Sequence, residues 1–246
     1  MKILLLGDYS GFFVNLKDGL IEIGQDVNLA TAGDGFKRIS NSDLPMPSPG
    51  KDIAGIFGKL VFLFSGIKKY YDYDVVQIIN HVVFPPIRGG YNFFLLEQIR
   101  KHNRKMFLSS CGTDYFVYKA RTNLRYNPLD EETRNSEHNT YNTKRYSQNN
   151  IKVLNLIDGI IATEFSYAVA YKEHAKFLGV IPLPINFKKI EFLPQILHDG
   201  KVRIFHGLNR ELFKGTKFIQ KAMLRLKETY PDDVEIIIDG KMPLNK

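Results

Sequence analysis

A loop with two basic residues, late in the chain, carries the residue types with the clearest chemistry. It runs from His206 to Thr216, between a predicted strand and a predicted helix, where open α/β sheets bind ligands. Arg210 can hold an anion through two parallel hydrogen bonds, and Lys214 adds a point charge. Gly215 permits close backbone approach, and Thr216 is placed to cap the helix, whose positive end favours phosphate. The spacing predicts an anion site, with solvent-exposed basic residues as the alternative.

Two other candidate residues follow predicted strands. His81 comes after the apolar run 75–79, and Asp114 comes shortly after the run 105–109. Because parallel strands end at the same edge of a sheet, we expect both side chains to line one cleft and contact a ligand. Structural roles are equally open from the sequence: a hydrogen-bonded histidine at a strand end, and an aspartate that caps the next turn.

The elements that must position these residues alternate between strand and helix. Apolar residues run through 4–6, recur at helical spacing over 16–23 and become extended again from residue 27. Helices are predicted at about 53–70 and 91–102, and further strands at 75–79, 105–109, 159–163 and 180–183. Strands that are apolar throughout are typical of a parallel sheet covered on both faces. The sequence therefore predicts an α/β fold with a doubly wound, Rossmann-like parallel sheet.

The prolines near residue 182 and the aperiodic stretch after them suggest a domain boundary. We expect an amino-terminal domain over 1–187, an interdomain linker over 188–200 and the start of a second Rossmann-like domain over 201–246. The segment 201–246 is predicted to contain a strand at 202–205, a helix with apolar residues over 218–226, and a strand at 234–238. A single crossover unit cannot bury both faces of its sheet, so we expect the second domain either to be incomplete or to pack as an appendage on the first. The polar stretch 118–150 is predicted to be an exposed insertion with a short helix.

The net positive charge indicates a negatively charged partner but does not identify which kind. There are 34 Lys and Arg residues against 26 Asp and Glu, a net charge of +8, which suits nucleic acid, an anionic membrane surface or phosphorylated ligands. Acidic residues interrupt the basic stretch 121–145, so we expect no nucleic-acid partner. The apolar segment 53–67, with lysines around it, has a second interpretation as a helix lying on anionic lipid. Its apolar residues on almost every face favour burial instead.

The remaining motifs are informative mainly by what they exclude. No Gly-x-Gly-x-x-Gly, P-loop, nucleophile elbow or metal-spaced His and Cys cluster occurs, so we expect no cofactor and no metal. The single cysteine, Cys111, rules out a disulfide framework and favours a cytoplasmic location. No apolar run reaches the roughly 18–20 residues that a membrane-spanning helix needs.

The loop with Arg210, Lys214, Gly215 and Thr216 resembles the donor-binding loop of retaining, two-lobed (GT-B) glycosyltransferases of family 4. The resemblance implies that Arg210 and Lys214 bind the diphosphate of a nucleotide-sugar donor. It also implies that they stabilise the charge growing on the leaving nucleotide without an obligatory metal. Many members place more residues between the arginine and the lysine than the three found here, which is a departure from the family.

The first part of the chain is similar to the same family more loosely. The segment 7–24 resembles the loop and helix that face the acceptor, which implies a cleft role for Gly11 and Asn15. The segment 74–81 resembles the strand that delivers a histidine, here His81, into the cleft between the lobes. The segment 110–114 resembles the next strand-end loop, which adds Asp114, and 182–186 resembles the hinge. The resemblance thus covers most of the chain.

Taken together, the resemblance implies a glycosyltransferase that moves a sugar to a glycan or lipid-linked acceptor during cell-surface polysaccharide biosynthesis. Its implied catalytic residues are His81, Arg210 and Lys214, and its implied location is the cytoplasm, with peripheral attachment to the inner membrane face. The family's paired acidic residues lie later in the second lobe than Lys246, so we expect these residues alone to be inactive. The alternative is a non-catalytic module of the same fold that binds an acceptor or a partner.

Overall fold

The computed structural model describes residues 1–32, 42–47, 55, 58, 61–62, 65–84, 93–121, 124–125, 140–192, 200–208 and 211–240. Contacts divide the chain into two units. The first unit comprises 1–123 and 140–190, and the second comprises 124–139 and 191–246. Each unit is described by itself below.

The first unit is built on a parallel sheet of six strands in the order β2-β1-β3-β4-β5-β6. The strands are β1 (Lys2–Leu6), β2 (Asp26–Ala30), β3 (Val75–Ile78), β4 (Lys105–Ser110), β5 (Gly159–Ala162) and β6 (Phe177–Val180). All five neighbouring pairs are parallel. The predicted α/β class is confirmed, and the sheet is compatible with a Rossmann-like fold.

Helices connect these strands and cover the sheet. The α-helices of the first unit are α1 (Phe12–Glu22), α2 (Phe93–Lys101), α3 (Tyr115–Ala120), α4 (Lys144–Leu156) and α5 (Phe165–Ala168). Short 3-10 helices lie at Gly66–Tyr70, Thr140–Asn142 and Phe187–Lys189. Among the described helices, none is both long and apolar enough to cross a membrane.

The central strand β1 shows why the sheet needs cover on both faces. Leu4 and Leu6 belong to one buried apolar cluster, with residues of α2 and α4, whereas Ile3 and Leu5 belong to another, with Phe13 of α1. Successive side chains of a strand point to opposite faces, so a strand that is apolar throughout must be packed on both sides. The uninterrupted apolar run at the start of the sequence is explained by these two clusters.

The turn that ends β1 is closed by Gly7, which has a positive φ of 86°. A Cβ atom at this position would lie 2.3 Å from Cγ2 of Ile79, just beyond β3. Both the backbone conformation and the missing side chain are therefore required where these two strand ends approach each other.

The predicted strand 180–183 is wrong in position, since β6 occupies Phe177–Val180 and ends at the first residue of this run. Gly179 has a positive φ of 135°, and the pairing of β6 with β5 shifts register between Ile160 and Ile161. The following residues include Pro182 and Pro184, which have no N–H to donate to a strand ladder. The apolar residues after Val180 form an extended, exposed segment instead.

The polar stretch 118–150 is not simply an exposed insertion, because its last residues enter the core. Thr143 caps α4, accepting a hydrogen bond from the N–H of Tyr146 at 3.2 Å. The helix buries Tyr146, Asn149 and Asn150 as well as aliphatic residues. Polar side chains can be buried when their hydrogen bonds are satisfied, so low aliphatic content is a poor guide here. Residues 126–139 of the stretch lie outside the described residues.

The helix predicted at about 53–70 lies largely outside the described residues. Within it, positions 55, 58, 61 and 62 are helical, and the 3-10 helix Gly66–Tyr70 ends the segment. Most of the segment proposed as a lipid-binding helix, 53–67, is likewise outside the described residues.

In its described part, the second unit forms one strand–helix–strand crossover, as predicted. Strands β7 (Val202–Gly207) and β8 (Val234–Asp239) pair in parallel, and α6 (Thr216–Thr229) connects them. Met223 of α6 and Val234 of β8 are its buried apolar residues within the described part of this unit. Residues 193–199 of the predicted linker lie outside the described residues.

Candidate functional site

The chain order of the strands reverses between β1 and β3, and open α/β sheets bind ligands outside the strand ends at such a point. The loops after these strands meet there, because Gly7 packs against Ile79 and Val83. The loop after β4 joins them, since a Cβ atom on Gly112 would lie 3.7 Å from the Tyr9 ring. We call this region the strand-end site; it contains His81 and Asp114.

His81 is fully buried, and neither of its ring nitrogens has a hydrogen-bond partner among the described residues. Its backbone is held in place, since the Asn149 amide donates to the His81 carbonyl oxygen at 3.2 Å. The nearest charged group is Asp114, whose Oδ2 lies 3.7 Å from His81 Nδ1, which is too long for a hydrogen bond. The backbone at His81 is thus held in place, while the imidazole makes no hydrogen bond within the described part of the chain.

Burial determines the charge of this imidazole. Loss of solvation lowers the pKa of His81, and the attraction of Asp114 opposes that change only in part. The imidazole is therefore neutral at physiological pH, with one nitrogen that donates and one that accepts.

Asp114 has the capping role, one of the two that the sequence left open. It is the N-cap of α3, and its Oδ1 accepts a hydrogen bond from the Val117 N–H at 2.8 Å. Its Oδ2 faces His81 and accepts a hydrogen bond from the Tyr171 hydroxyl at 2.6 Å. Burial, followed by the nearby Asp114 charge, raises the pKa of Tyr171 well above its usual range. The Tyr171 hydroxyl therefore stays protonated and acts as a donor.

Gly11 lies at the same edge of the sheet, where it begins α1 with a left-handed φ of 78°. The positive end of this helix is already neutralised by Asp8. Asp8 accepts hydrogen bonds from the Gly11 N–H at 3.1 Å and from the Phe13 N–H at 2.7 Å. A phosphate at this helix start would meet a buried carboxylate, so the helix is not arranged as a phosphate site.

Asn15 lies in a different place, a groove of about 370 Å³ between α1 and residues 184–188. Its amide donates to the Pro184 carbonyl oxygen at 3.3 Å. One turn away, Asp18 accepts hydrogen bonds from Asn186 at 2.9 Å and Lys189 at 2.6 Å. The lining of this groove includes neither His81 nor Asp114, so Asn15 is separate from the strand-end site.

The basic loop of the second unit differs from expectation at Thr216. The N-cap of α6 is Gly215, with a left-handed φ of 64°, so Thr216 falls inside the first turn and does not cap the helix. Its hydroxyl lies 2.9 Å from Nε2 of His206, and its N–H donates to the Glu211 carbonyl oxygen at 3.0 Å. The hydroxyl is therefore used to join the helix to the end of β7.

Lys214 is exposed, and its ammonium lies 3.5 Å from the Gly207 carbonyl oxygen at the carboxyl end of β7. This is the position in which a lysine can reach a ligand bound at the strand end. Arg210, the other predicted basic residue, lies outside the described residues.

The structure thus brings His81 and Asp114 together and places Gly11 at the same sheet edge. The sequence interpretation missed Asp8, Asn149 and Tyr171. An aspartate directly after a strand and just before a helix is a recognised capping signal, so Asp8 could have been found. Asn149 and Tyr171 are 68 and 57 residues away from their partners, and no local pattern marks them.

The neutral charge of buried His81 predicts a loss of stability in acid. The unfolded chain takes up a proton near pH 6.5, whereas the folded state resists it, so stability is complete above that pH and falls below it. The slope expected from this residue is at most about 1.4 kcal/mol per pH unit. Denaturant unfolding measured between about pH 7 and pH 5 tests this in the wild type and in His81→Gln.

The His81→Gln variant is expected to lose that part of the slope. Replacement of the exposed His102 by glutamine is the matched control and should leave the slope intact. An equal slope in wild type and His81→Gln would show that His81 is not the group responsible.

Neither a protein-family model nor a curated protein matches this chain. A functional interpretation therefore depends on the chain's own side-chain geometry.

Proposed function

We propose that this chain is part of a two-lobed glycosyltransferase of GT-B type. The enzyme transfers a sugar from a nucleotide-diphosphate donor to a glycan or lipid-linked acceptor. The observation that carries the proposal is His81, a buried imidazole with no hydrogen-bond partner among the described residues, next to the point where the strand order reverses. A cytoplasmic location, peripheral attachment to the membrane and a role in cell-surface polysaccharide synthesis belong to the same proposal.

The chemistry of His81 suits a sugar hydroxyl. A buried polar group without a partner costs about 1–3 kcal/mol, and a ligand that supplies the missing hydrogen bonds removes that cost. A hydroxyl group both donates and accepts, which matches the one donor and one acceptor of a neutral imidazole. In the proposed reaction His81 holds a hydroxyl of the transferred sugar or of the acceptor.

The second support for the proposal is the loop between β7 and α6. Lys214 lies near the strand end, and the left-handed backbone at Gly215 lets a ligand approach the chain closely. As the bond between the sugar carbon and the diphosphate oxygen breaks, its electron pair leaves with the nucleotide. Lys214, together with Arg210, stabilises this growing negative charge. The acceptor oxygen then forms the new bond to the sugar and gives up its proton to the departing diphosphate.

The donor site is tested by titrating a nucleoside diphosphate against the chain by calorimetry. Loss of a charge-assisted hydrogen bond in Lys214→Ala is expected to raise Kd about 10- to 100-fold, equivalent to roughly 1.5–3 kcal/mol. Lys221→Ala is the matched control, because Lys221 is also exposed but lies further along α6. Equal affinity in the wild type and Lys214→Ala would remove Lys214 from the site.

A non-catalytic module that binds an acceptor or partner is the alternative, and one observation favours it. The N–H of Thr216 is already bonded to Glu211, which leaves this helix start with less capacity for an anion than the sequence suggested. Binding of glycan at the strand-end site without any binding of nucleoside diphosphate would support the module over the enzyme.

A further inference from the structure

Tyr171, which follows α5, has a buried hydroxyl whose role goes beyond packing. Its ring is almost fully buried, and its hydroxyl donates to Asp114 Oδ2 at 2.6 Å. This is the same oxygen that lies 3.7 Å from His81 Nδ1. Tyr171 and His81 therefore face one carboxylate oxygen, which accepts a hydrogen bond from Tyr171 and not from His81.

Both oxygens of Asp114 already have a donor. Oδ1 accepts the Val117 N–H at 2.8 Å, and Oδ2 accepts the Tyr171 hydroxyl. Hydrogen bonds from these donors stabilise the carboxylate charge, so its pull on the neighbouring imidazole is weaker than that of a bare carboxylate. His81 itself lies outside hydrogen-bond distance of Asp114.

The Phe116 ring packs against both His81 and Tyr171. Its centroid lies 6.0 Å from that of His81 and 5.6 Å from that of Tyr171. Packing against the same ring limits how far either side chain can move. The distance between His81 and Asp114 is thus set by the packing as well as by the hydrogen bonds.

The other titratable groups near Asp114 do not supply charge. Burial raises the pKa of both Tyr146, from α4, and Tyr171, so both phenols stay neutral. From α4, Asn149 contributes an uncharged amide to the His81 carbonyl oxygen. Within the part of the chain that the structure describes, Asp114 is the charged group that acts on His81.

We propose that Tyr171 is a positioning residue: by holding the Asp114 oxygen nearest His81, it weakens the pull of that carboxylate on the buried imidazole and leaves both ring nitrogens open to a ligand. A neutral imidazole can donate to one hydroxyl and accept from another, whereas a protonated one only donates and attracts anions. The site is therefore suited to binding uncharged hydroxyl groups and not to binding phosphate. This last step rests on the proposed function, since it concerns the sugar that His81 would contact.

The proposal predicts opposite pKa changes in two conservative variants. Tyr171→Phe removes the competing donor, so Asp114 is free to pair with His81, and we expect the His81 pKa to rise by about one unit, a tenfold change. Asp114→Asn removes the negative charge beside His81 and is expected to lower the His81 pKa. The measurement is an NMR titration of the histidine rings in the full chain, with His81 assigned by comparison with His81→Gln.

Tyr70→Phe is the matched control. Tyr70 is also fully buried in the first unit, but its hydroxyl donates to the Pro45 carbonyl oxygen at 2.6 Å and not to Asp114. This variant should leave the His81 pKa unchanged. Asparagine retains the ability to cap α3, so a folded Asp114→Asn protein is expected.

An unchanged or lower His81 pKa in Tyr171→Phe would overturn the proposal, and so would a higher value in Asp114→Asn. The titration requires no nucleotide and no sugar. Failure to bind nucleoside diphosphate would therefore count against the proposed transferase while leaving the role of Tyr171 standing. If the His81 pKa did not rise in Tyr171→Phe while nucleotide still bound normally, the role of Tyr171 would be refuted and the proposed transferase would stand.

Discussion

Replacement of Gly7 by alanine is expected to destabilise the first unit by about 2–5 kcal/mol. Roughly 1–2 kcal/mol comes from forcing a residue with a side chain into a left-handed backbone conformation. About 1–3 kcal/mol more comes from overpacking, since the new Cβ would lie 2.3 Å from Ile79 Cγ2. Denaturant unfolding of wild type and Gly7→Ala measures this difference directly.

Gly24→Ala separates the two contributions. Gly24 has a similar positive φ of 79°, but nothing lies within 4 Å of a Cβ atom built there. It should therefore lose only the backbone part, about 1–2 kcal/mol. Equal losses at the two positions would mean that Ile79 moves aside at little cost, and the close approach of the β1 and β3 ends would then be unimportant for stability.

Asp114→Ala is expected to cost about 1.5–5 kcal/mol, because one carboxylate accepts hydrogen bonds from two buried donors. Loss of the α3 cap accounts for about 0.5–2 kcal/mol. The Tyr171 hydroxyl, which now donates to Asp114 Oδ2 at 2.6 Å, would be left buried without that partner at a cost of about 1–3 kcal/mol. Urea unfolding of the purified variant is the measurement. Asp114→Asn should lose clearly less, because its amide oxygen can still cap α3 while its NH2 group donates to the Tyr171 oxygen.

A double variant identifies the orphaned hydroxyl as the cause. Removing it by Tyr171→Phe in the Asp114→Ala background should restore part of the lost stability, since no unsatisfied donor remains. Strict additivity of the two single losses would contradict the pairing of Tyr171 with Asp114 as an important contribution to the fold.

Local patterns were sufficient for the architecture where each element carries its own signal. The apolar run of β1 predicted a strand packed on both faces, and Leu4 and Leu5 do belong to opposite clusters. The β7–α6–β8 crossover was also predicted, from apolar runs around a periodic helix. Such patterns involve residues only a few positions apart, so they can be recognised in the sequence alone.

Predictions failed where backbone or distant contacts outweighed local composition. The apolar residues of 180–183 suggested a strand, but the proline-containing backbone after Val180 cannot continue the ladder. Polar Asn149 and Asn150 suggested exposure, yet their amides bond to the His81 and Tyr146 carbonyl oxygens in the core. Thr216 suggested a cap, but the cap position falls one residue earlier, on Gly215.

For the candidate site, the sequence by itself determined the edge of the sheet at which the candidate residues lie. His81 and Asp114 follow neighbouring parallel strands, and parallel strands must end at one edge, so their proximity was predictable. Only the tertiary structure decided the state of that pair. The buried setting that keeps His81 neutral and the Tyr171 hydroxyl that occupies Asp114 Oδ2 come from segments far apart in the chain. Desolvation and competition for one oxygen depend on distances in space, and strand and helix periodicity carry no information about them.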